Sequence, residues 1–145
     1  FHPSKMFMGD TGSQFLGLFL AVMGIDNCWN GPSSELIGGF PLVNILMMLL
    51  VFLIPLTDTF TVVFNRLRNG KSPFIGGKDH TTHHLFFKGI TEKRIAILYF
   101  VISSIGSILA YLLVFRFSYA LFYFSIFYIL LVFVSLYVNT IIKRK

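Results

Sequence analysis

Three constellations of polar residues stand out in an otherwise apolar chain, and each offers groups suited to anions or metal ions. The first is Met8-Gly9-Asp10-Thr11-Gly12-Ser13. Asp10 supplies a hard oxygen of the kind Mg²⁺ takes, which prefers one or two carboxylates completed by phosphate oxygens. Gly9 and Gly12 allow a ligand to approach the backbone closely. Thr11, Ser13 and the free amides of a helix start suit an anion. The same residues also make a plain N-cap with its lead-in turn. The second constellation is Gly76-Gly77-Lys78-Asp79-His80-Thr81-Thr82-His83-His84. The i, i+3, i+4 spacing of His80, His83 and His84 puts them on one face of a helix. With Lys78 they could grip a diphosphate, and they suit a transition metal as well; a solvated loop without a ligand is the plainer alternative. The third is Asp58. A carboxylate near membrane depth costs about 2.5–3.5 kcal/mol at a helix centre, so it either lines a cavity or finds a partner such as Thr57, Thr59 or an Arg.

The elements that carry these residues are read from composition. The chain has 145 residues, 55% hydrophobic and 12% charged, with 18 Phe. A soluble domain carries about 25% charged residues, so lipid is the expected solvent and an all-α, polytopic transmembrane bundle the expected fold. Four apolar stretches appear: Phe15–Ile25, extendable from Thr11 to Trp29; Leu36 to about Leu56, trailing on to Phe64; Ile95–Phe115; and Phe117–Ile142. The last two contain no charge and reach the ~20 residues that cross the hydrocarbon core. Pro55 predicts a break or bend in the second. Asp58, Thr61 and Asn65 then form a polar stripe that should face a cavity or the interface. Asp26 and Glu35 are read as ordinary loop residues. Cys28 is the sole cysteine, which removes internal disulfides and Cys-pair metal sites. No signal peptide is expected at the start.

Charge placement orients the bundle. The segments 1–12, 66–94 and 143–145 carry 11 of the 12 Lys and Arg residues, and the opposite loops only Arg116. The positive-inside rule therefore places both termini and the 66–94 loop in the cytoplasm, with Lys143-Arg144-Lys145 as an anchor near anionic head groups. The net charge of +6 flanks membrane helices, so nucleic acid is excluded as a partner. Turns are expected at Asn30-Gly31-Pro32-Ser33-Ser34, Asn69-Gly70-Lys71-Ser72-Pro73 and Gly76-Gly77.

Together these motifs resemble a known family. Met8-Gly9-Asp10-Thr11-Gly12-Ser13 is similar to the Met-Gly-Asp-x-Gly-Ser motif of the polyprenyl-phosphate N-acetylhexosamine-1-phosphate transferases, of the undecaprenyl-phosphate GlcNAc-1-phosphate transferase kind. Pro55-Leu56-Thr57-Asp58-Thr59 resembles the Pro-x-x-Asp-Thr that follows it there, and Gly76 to Leu85 resembles the His-rich cytoplasmic loop of one subgroup. The resemblance implies transfer of a sugar-1-phosphate from a UDP-N-acetylhexosamine to a polyprenyl phosphate, with release of UMP. It implies Mg²⁺ held by Asp10, and His80, His83 and His84 holding the diphosphate and sugar beside Asp79. Gly9, Thr11, Ser13, Lys78 and Asp58 are the supporting substrate contacts. The implied setting is the cytoplasmic face of a bacterial inner membrane, and a homodimer is a further expectation.

This chain departs from the family in two ways. The family has about ten spans; its N-terminal spans, an Asp-Asp motif and an Asn/Asp-rich motif have no counterpart here. Residues 1–145 are thus expected to be the C-terminal part of one membrane-embedded transferase domain, inactive by itself. Thr81 also stands where other subgroups have the first His of His-x-His-His. Two other readings compete. In a membrane transport or metal-binding module the histidines would be a cation site, but the last two spans carry no ionisable residue between Ile95 and Phe115 or between Phe117 and Ile142, against the expectation for a transport pathway. A structural subunit would tolerate Asp10→Ala and His83→Ala.

Overall fold

The computed structural model describes residues 9–30, 42–74, 77 and 79–141. Lys78, Gly76, Glu35, the 31–34 turn, the start of the second apolar stretch and the basic anchor at 143–145 lie outside the described residues. The described elements are helical: α1 (Gly9–Gly24), continued by a π-helical turn over Ile25–Trp29, then α2 (Leu42–Val51), α3 (Leu53–Arg68), α4 (Thr81–Phe87), α5 (Glu92–Phe115) and α6 (Tyr119–Ile141). No strand occurs among them. The chain divides into two compact units, Phe1–Met48 and Leu49–Lys145.

In the first unit the helix begins at Gly9, whose φ of +69° is a left-handed turn open to glycine. It stays helical to Trp29, so Asp26 sits in the π-helical turn rather than in the loop expected of it.

In the second unit α5 and α6 are long and apolar enough to cross a membrane. At 24 and 23 residues they reach roughly 35 Å at 1.5 Å per residue. Only 116–118 join them, so they pack as an antiparallel hairpin. Tyr128 ties the pair by donating its hydroxyl to the Ile102 carbonyl at 2.8 Å. The α2–α3 pair makes a third span if it is counted as one helix bent by 82°. The count of four expected from the sequence is thus two or three among the described residues.

The break in that pair lies at Phe52, three residues before the bend expected at Pro55. Phe52 leaves helical geometry at φ −97°, ψ 20° and α3 starts anew at Leu53. Pro55 then falls in the first turn of α3, where a residue without an N–H costs no intrahelical bond. Proline therefore starts the second helix instead of kinking a continuous one.

The core of this unit is one cluster drawn from four helices: Leu53 of α3, Leu85 of α4, Ile95 of α5, and Val132 and Leu136 of α6. Gly106 lets α5 close onto α2, since a Cβ there would lie 2.7 Å from the Leu50 carbonyl oxygen. Small residues at such crossings are how membrane helices pack closely. Along α6, Tyr119, Tyr123, Phe124 and Phe127 are exposed, as a lipid-facing surface requires.

Candidate functional site

The site is built around α4, a helix of 7 residues. So short a helix does not hold itself in water. It is held by one apolar and two polar anchors. Leu85 is buried in the core shared by α3, α5 and α6. At its N-terminus the cap comes from another helix: one oxygen of Asp58 on α3 accepts the Thr81 backbone N–H at 2.7 Å and the Thr81 hydroxyl at 2.6 Å. An ionised carboxylate is acceptor-only, so the Thr81 proton points to Asp58 and the Tyr99 hydroxyl, 2.7 Å away, donates to Thr81. The other oxygen of Asp58 lies 2.7 Å from His80 Nδ1. That bond assigns the proton to Nδ1 and leaves Nε2 facing outward on a half-exposed ring.

The second polar anchor is Arg66 on α3. Its Nε and Nη2 take both oxygens of Asp79, with Nη2–Oδ1 at 2.6 Å, while Nη1 donates to the Pro73 carbonyl at 2.9 Å. The guanidinium thus holds the Asp79 carboxyl below the usual carboxylate range, against a smaller opposing effect of burial. A fork of this kind adds geometric precision as well as energy. Gly77 completes it, because a Cβ there would meet Asp79 Oδ1 at 2.7 Å and Arg66 Nη2 at 2.9 Å. Lys88 closes the far end of α4 by donating to Asn139 of α6 at 2.9 Å.

Two hollows flank α4. A groove of about 500 Å³ between α4 and α5 is lined by His83, Phe86, Phe87, Ile95, Ala96 and Tyr99, with Thr82 and Glu92 at its rim. Here the His80 and His83 rings lie 6.3 Å apart and His83 stacks on Phe87 at 6.3 Å. On the other side a cleft of about 380 Å³ is lined by Arg66, Arg68, Lys71, Asp79, His84 and Thr140, among others. Burial pushes His84 below the ordinary histidine range, with Lys88 and His83 adding to the effect and Asp79 opposing it.

The sequence-derived site residues are thus distributed unevenly. Asp58, Asp79, His80 and His83 come together around the start of α4; His84, adjacent in sequence to His83, lines the opposite hollow. The one-face expectation for the three histidines gives way because His80 precedes the helix as its N-cap, leaving only His83 and His84 within it. Asp79 has both oxygens engaged by Arg66, and Asp58 is engaged by His80 and Thr81. Gly9, Asp10, Thr11 and Ser13 belong to the first unit. There Ser13 Oγ donates to the Asp10 carbonyl at 2.9 Å, and the exposed Asp10 carboxylate has no hydrogen-bond or ion-pair partner among the described residues. That open hard-oxygen donor fits Mg²⁺. No group of three or more His, Cys, Asp or Glu residues converges to hold a metal among the described residues, so the transition-metal reading of the histidines gains no support.

Sequence reasoning missed Arg66, Thr81 and Tyr99. Arg66 was read only as a topology charge, yet it extends the Asp58–Thr61–Asn65 stripe. That stripe does face inward: Thr61 is fully buried and Asn65 donates to Thr140 of α6 at 2.8 Å. Tyr99 sits in an uncharged span and carries no local signal.

Comparison with known proteins agrees with the motifs. The chain is 33% identical over 106 residues to the decaprenyl-phosphate N-acetylglucosaminephosphotransferase of Mycobacterium leprae (strain TN), covering 70% of this chain and 26% of that protein. It is 28% identical over 113 residues to the probable undecaprenyl-phosphate N-acetylglucosaminyl 1-phosphate transferase of Bacillus subtilis (strain 168), covering 78% and 29%. It is 31% identical over 94 residues to the undecaprenyl-phosphate alpha-N-acetylglucosaminyl 1-phosphate transferase of Yersinia pestis, covering 65% and 24%. No family model and no solved structure matches. The chain spans about a quarter of the length of these curated relatives. Over the part that it spans, this membrane chain belongs to the polyprenyl-phosphate N-acetylhexosamine-1-phosphate transferase family.

Proposed function

We propose that this chain forms the histidine-bearing part of an enzyme that transfers N-acetylglucosamine-1-phosphate from a UDP-sugar to a polyprenyl phosphate at the cytoplasmic face of a bacterial inner membrane, initiating a cell-envelope polysaccharide. A phosphate oxygen of the lipid attacks the sugar-bearing phosphorus of the nucleotide sugar. The bond from that phosphorus to the bridging oxygen breaks, UMP leaves, and a polyprenyl-diphosphate-sugar remains. Such a transfer between anions calls for positioning and charge neutralisation more than for a strong base.

The observation that carries the reading is the Asp58–His80 pair at the start of α4. It supports an imidazole of fixed tautomer whose outward Nε2 meets the transferring diphosphate, with His83 beside it. His84, Lys78 and the Arg66-held Asp79 bound the same loop. Gly9, Thr11 and Ser13 would contact the phosphates. Mg²⁺ on Asp10, when bound, would supply charge neutralisation at the phosphates. With about a quarter of its relatives' length, the chain by itself is expected to release no UMP.

The test is Mg²⁺-dependent UMP formation by the full-length protein reconstituted with undecaprenyl phosphate and UDP-N-acetylglucosamine. Asp10→Asn is expected to lower the rate by about 10²-fold or more, the scale of losing one transition-state charge contact. Equal rates in the two proteins would remove Asp10 from the metal site, and absence of UMP from the wild type would end the transferase reading.

A further inference from the structure

The cleft on the far side of α4 carries charge that the transfer reaction leaves unused. Three cations line it, Arg66, Arg68 and Lys71, against one anion, Asp79. The Arg66 charge is matched by Asp79, which leaves Arg68 and Lys71, both exposed and without an ion-pair partner among the described residues. The Asn65–Thr140 hydrogen bond joins α3 to α6 at the cleft, and Ile141 of α6 adds an apolar edge.

The surface below the cleft is apolar. Phe60, Phe64 and Leu67 are exposed on α3 and are followed on the same face by Arg68, four residues after Phe64. Phe64 meets Tyr137 of α6 edge-on at 5.7 Å, and Val138 and Ile141 are exposed beyond it. An apolar wall shared by two helices thus leads up to two adjacent cations at the end of a membrane-crossing helix. That is the charge and polarity profile of one molecule: acyl chains along the wall, a phosphodiester at the top.

We propose that the cleft between the ends of α3 and α6 binds the head group of an anionic phospholipid of the surrounding bilayer, through Arg68 and Lys71. The site is separate from the face of α4 that bears His80 and His83. Its occupant is a resident lipid, neither substrate nor product of the transfer.

The experiment is lipid association by EPR, using spin-labelled phosphatidylglycerol and phosphatidylcholine with the purified full-length protein in detergent. The wild type is expected to favour phosphatidylglycerol. Arg68→Gln/Lys71→Gln should weaken that association by about thirtyfold, the effect of two cations near an anionic lipid, and leave phosphatidylcholine unchanged. Arg68→Lys/Lys71→Arg should keep the preference, which separates charge from misfolding. Lys93→Gln/Arg94→Gln, at the start of α5, should change it by no more than about twofold. An unchanged preference in the double Gln variant would overturn the proposal, as would an equal loss in the Lys93/Arg94 pair. Displacement of the labelled lipid by millimolar inorganic phosphate would assign the cleft to a soluble anion and overturn it too.

Discussion

At the scale of residues, Asp58 has two separable jobs. One oxygen caps α4 through Thr81 and the other sets the His80 tautomer. Asp58→Ala leaves the Thr81 amide and hydroxyl unpaired, which costs about 1–3 kcal/mol for a buried donor left unmade. Asp58→Asn keeps a carbonyl for Thr81 but turns an NH₂ towards His80, which favours the opposite tautomer. We expect Asn to preserve thermal stability within about 1 kcal/mol while lowering UMP formation about 10²-fold, the low end of a general acid–base contribution. Equal loss of both properties in the two variants would show that Asp58 only holds the fold. His84 makes a pH prediction. Its folded-state proton affinity is depressed, so the unfolded chain binds the proton first as pH falls. Stability is level above about pH 6.5 and declines as pH drops from there towards the lower folded value. His84→Gln should flatten part of that decline in melts between about pH 7.5 and about pH 5. A slope identical to wild type would contradict the assignment. Asp79 acts in the opposite range: its depressed affinity stabilises the loop above the ordinary carboxylate value and is lost only as pH falls through the lower folded one.

At the scale of elements, α4 is formed by its surroundings. Its 7 residues gain order from Leu85 in the core, the cap from α3 and the Lys88–Asn139 tie to α6. The α2–α5 crossing depends on Gly106. Gly106→Ala sets a helix-propensity gain of about 1 kcal/mol against an overpacking cost of about 1–3 kcal/mol. The obstacle is the backbone carbonyl of Leu50, which cannot swing aside as a side chain can, so the cost should win. Gly106→Leu should be worse still. A higher melting temperature for Gly106→Ala would show that α2 moves freely at this point.

At the scale of the whole molecule, two or three membrane-crossing helices support a polar apparatus carried on short or irregular chain. Cations crowd the 66–94 segment and avoid the α5–α6 turn apart from Arg116. With the 66–94 segment cytoplasmic, a membrane-impermeant thiol reagent applied to intact cells should label Ser118→Cys and spare Ser72→Cys, in a Cys28→Ser background. The reverse pattern would invert the orientation and remove the loop from the nucleotide-sugar pool.

By itself, the amino-acid pattern determined that this chain is helical and lipid-embedded, that its longest spans run close to Glu92–Phe115 and Tyr119–Ile141, and that its motifs belong to a phosphosugar transferase family. Length, apolarity and motif spacing are local properties, and a single chain displays them without folding. Tertiary structure alone decided that the helix breaks at Phe52 and not at Pro55, that His80 and His84 serve different sides of α4, and that Asp58 and Asp79 are engaged by Thr81, His80 and Arg66. Those outcomes rest on contacts between residues 13 to 23 positions apart or on where a helix restarts. Spacing along a chain says which groups share a helical face, but only packing says which of them meets a partner and which remains open to a ligand.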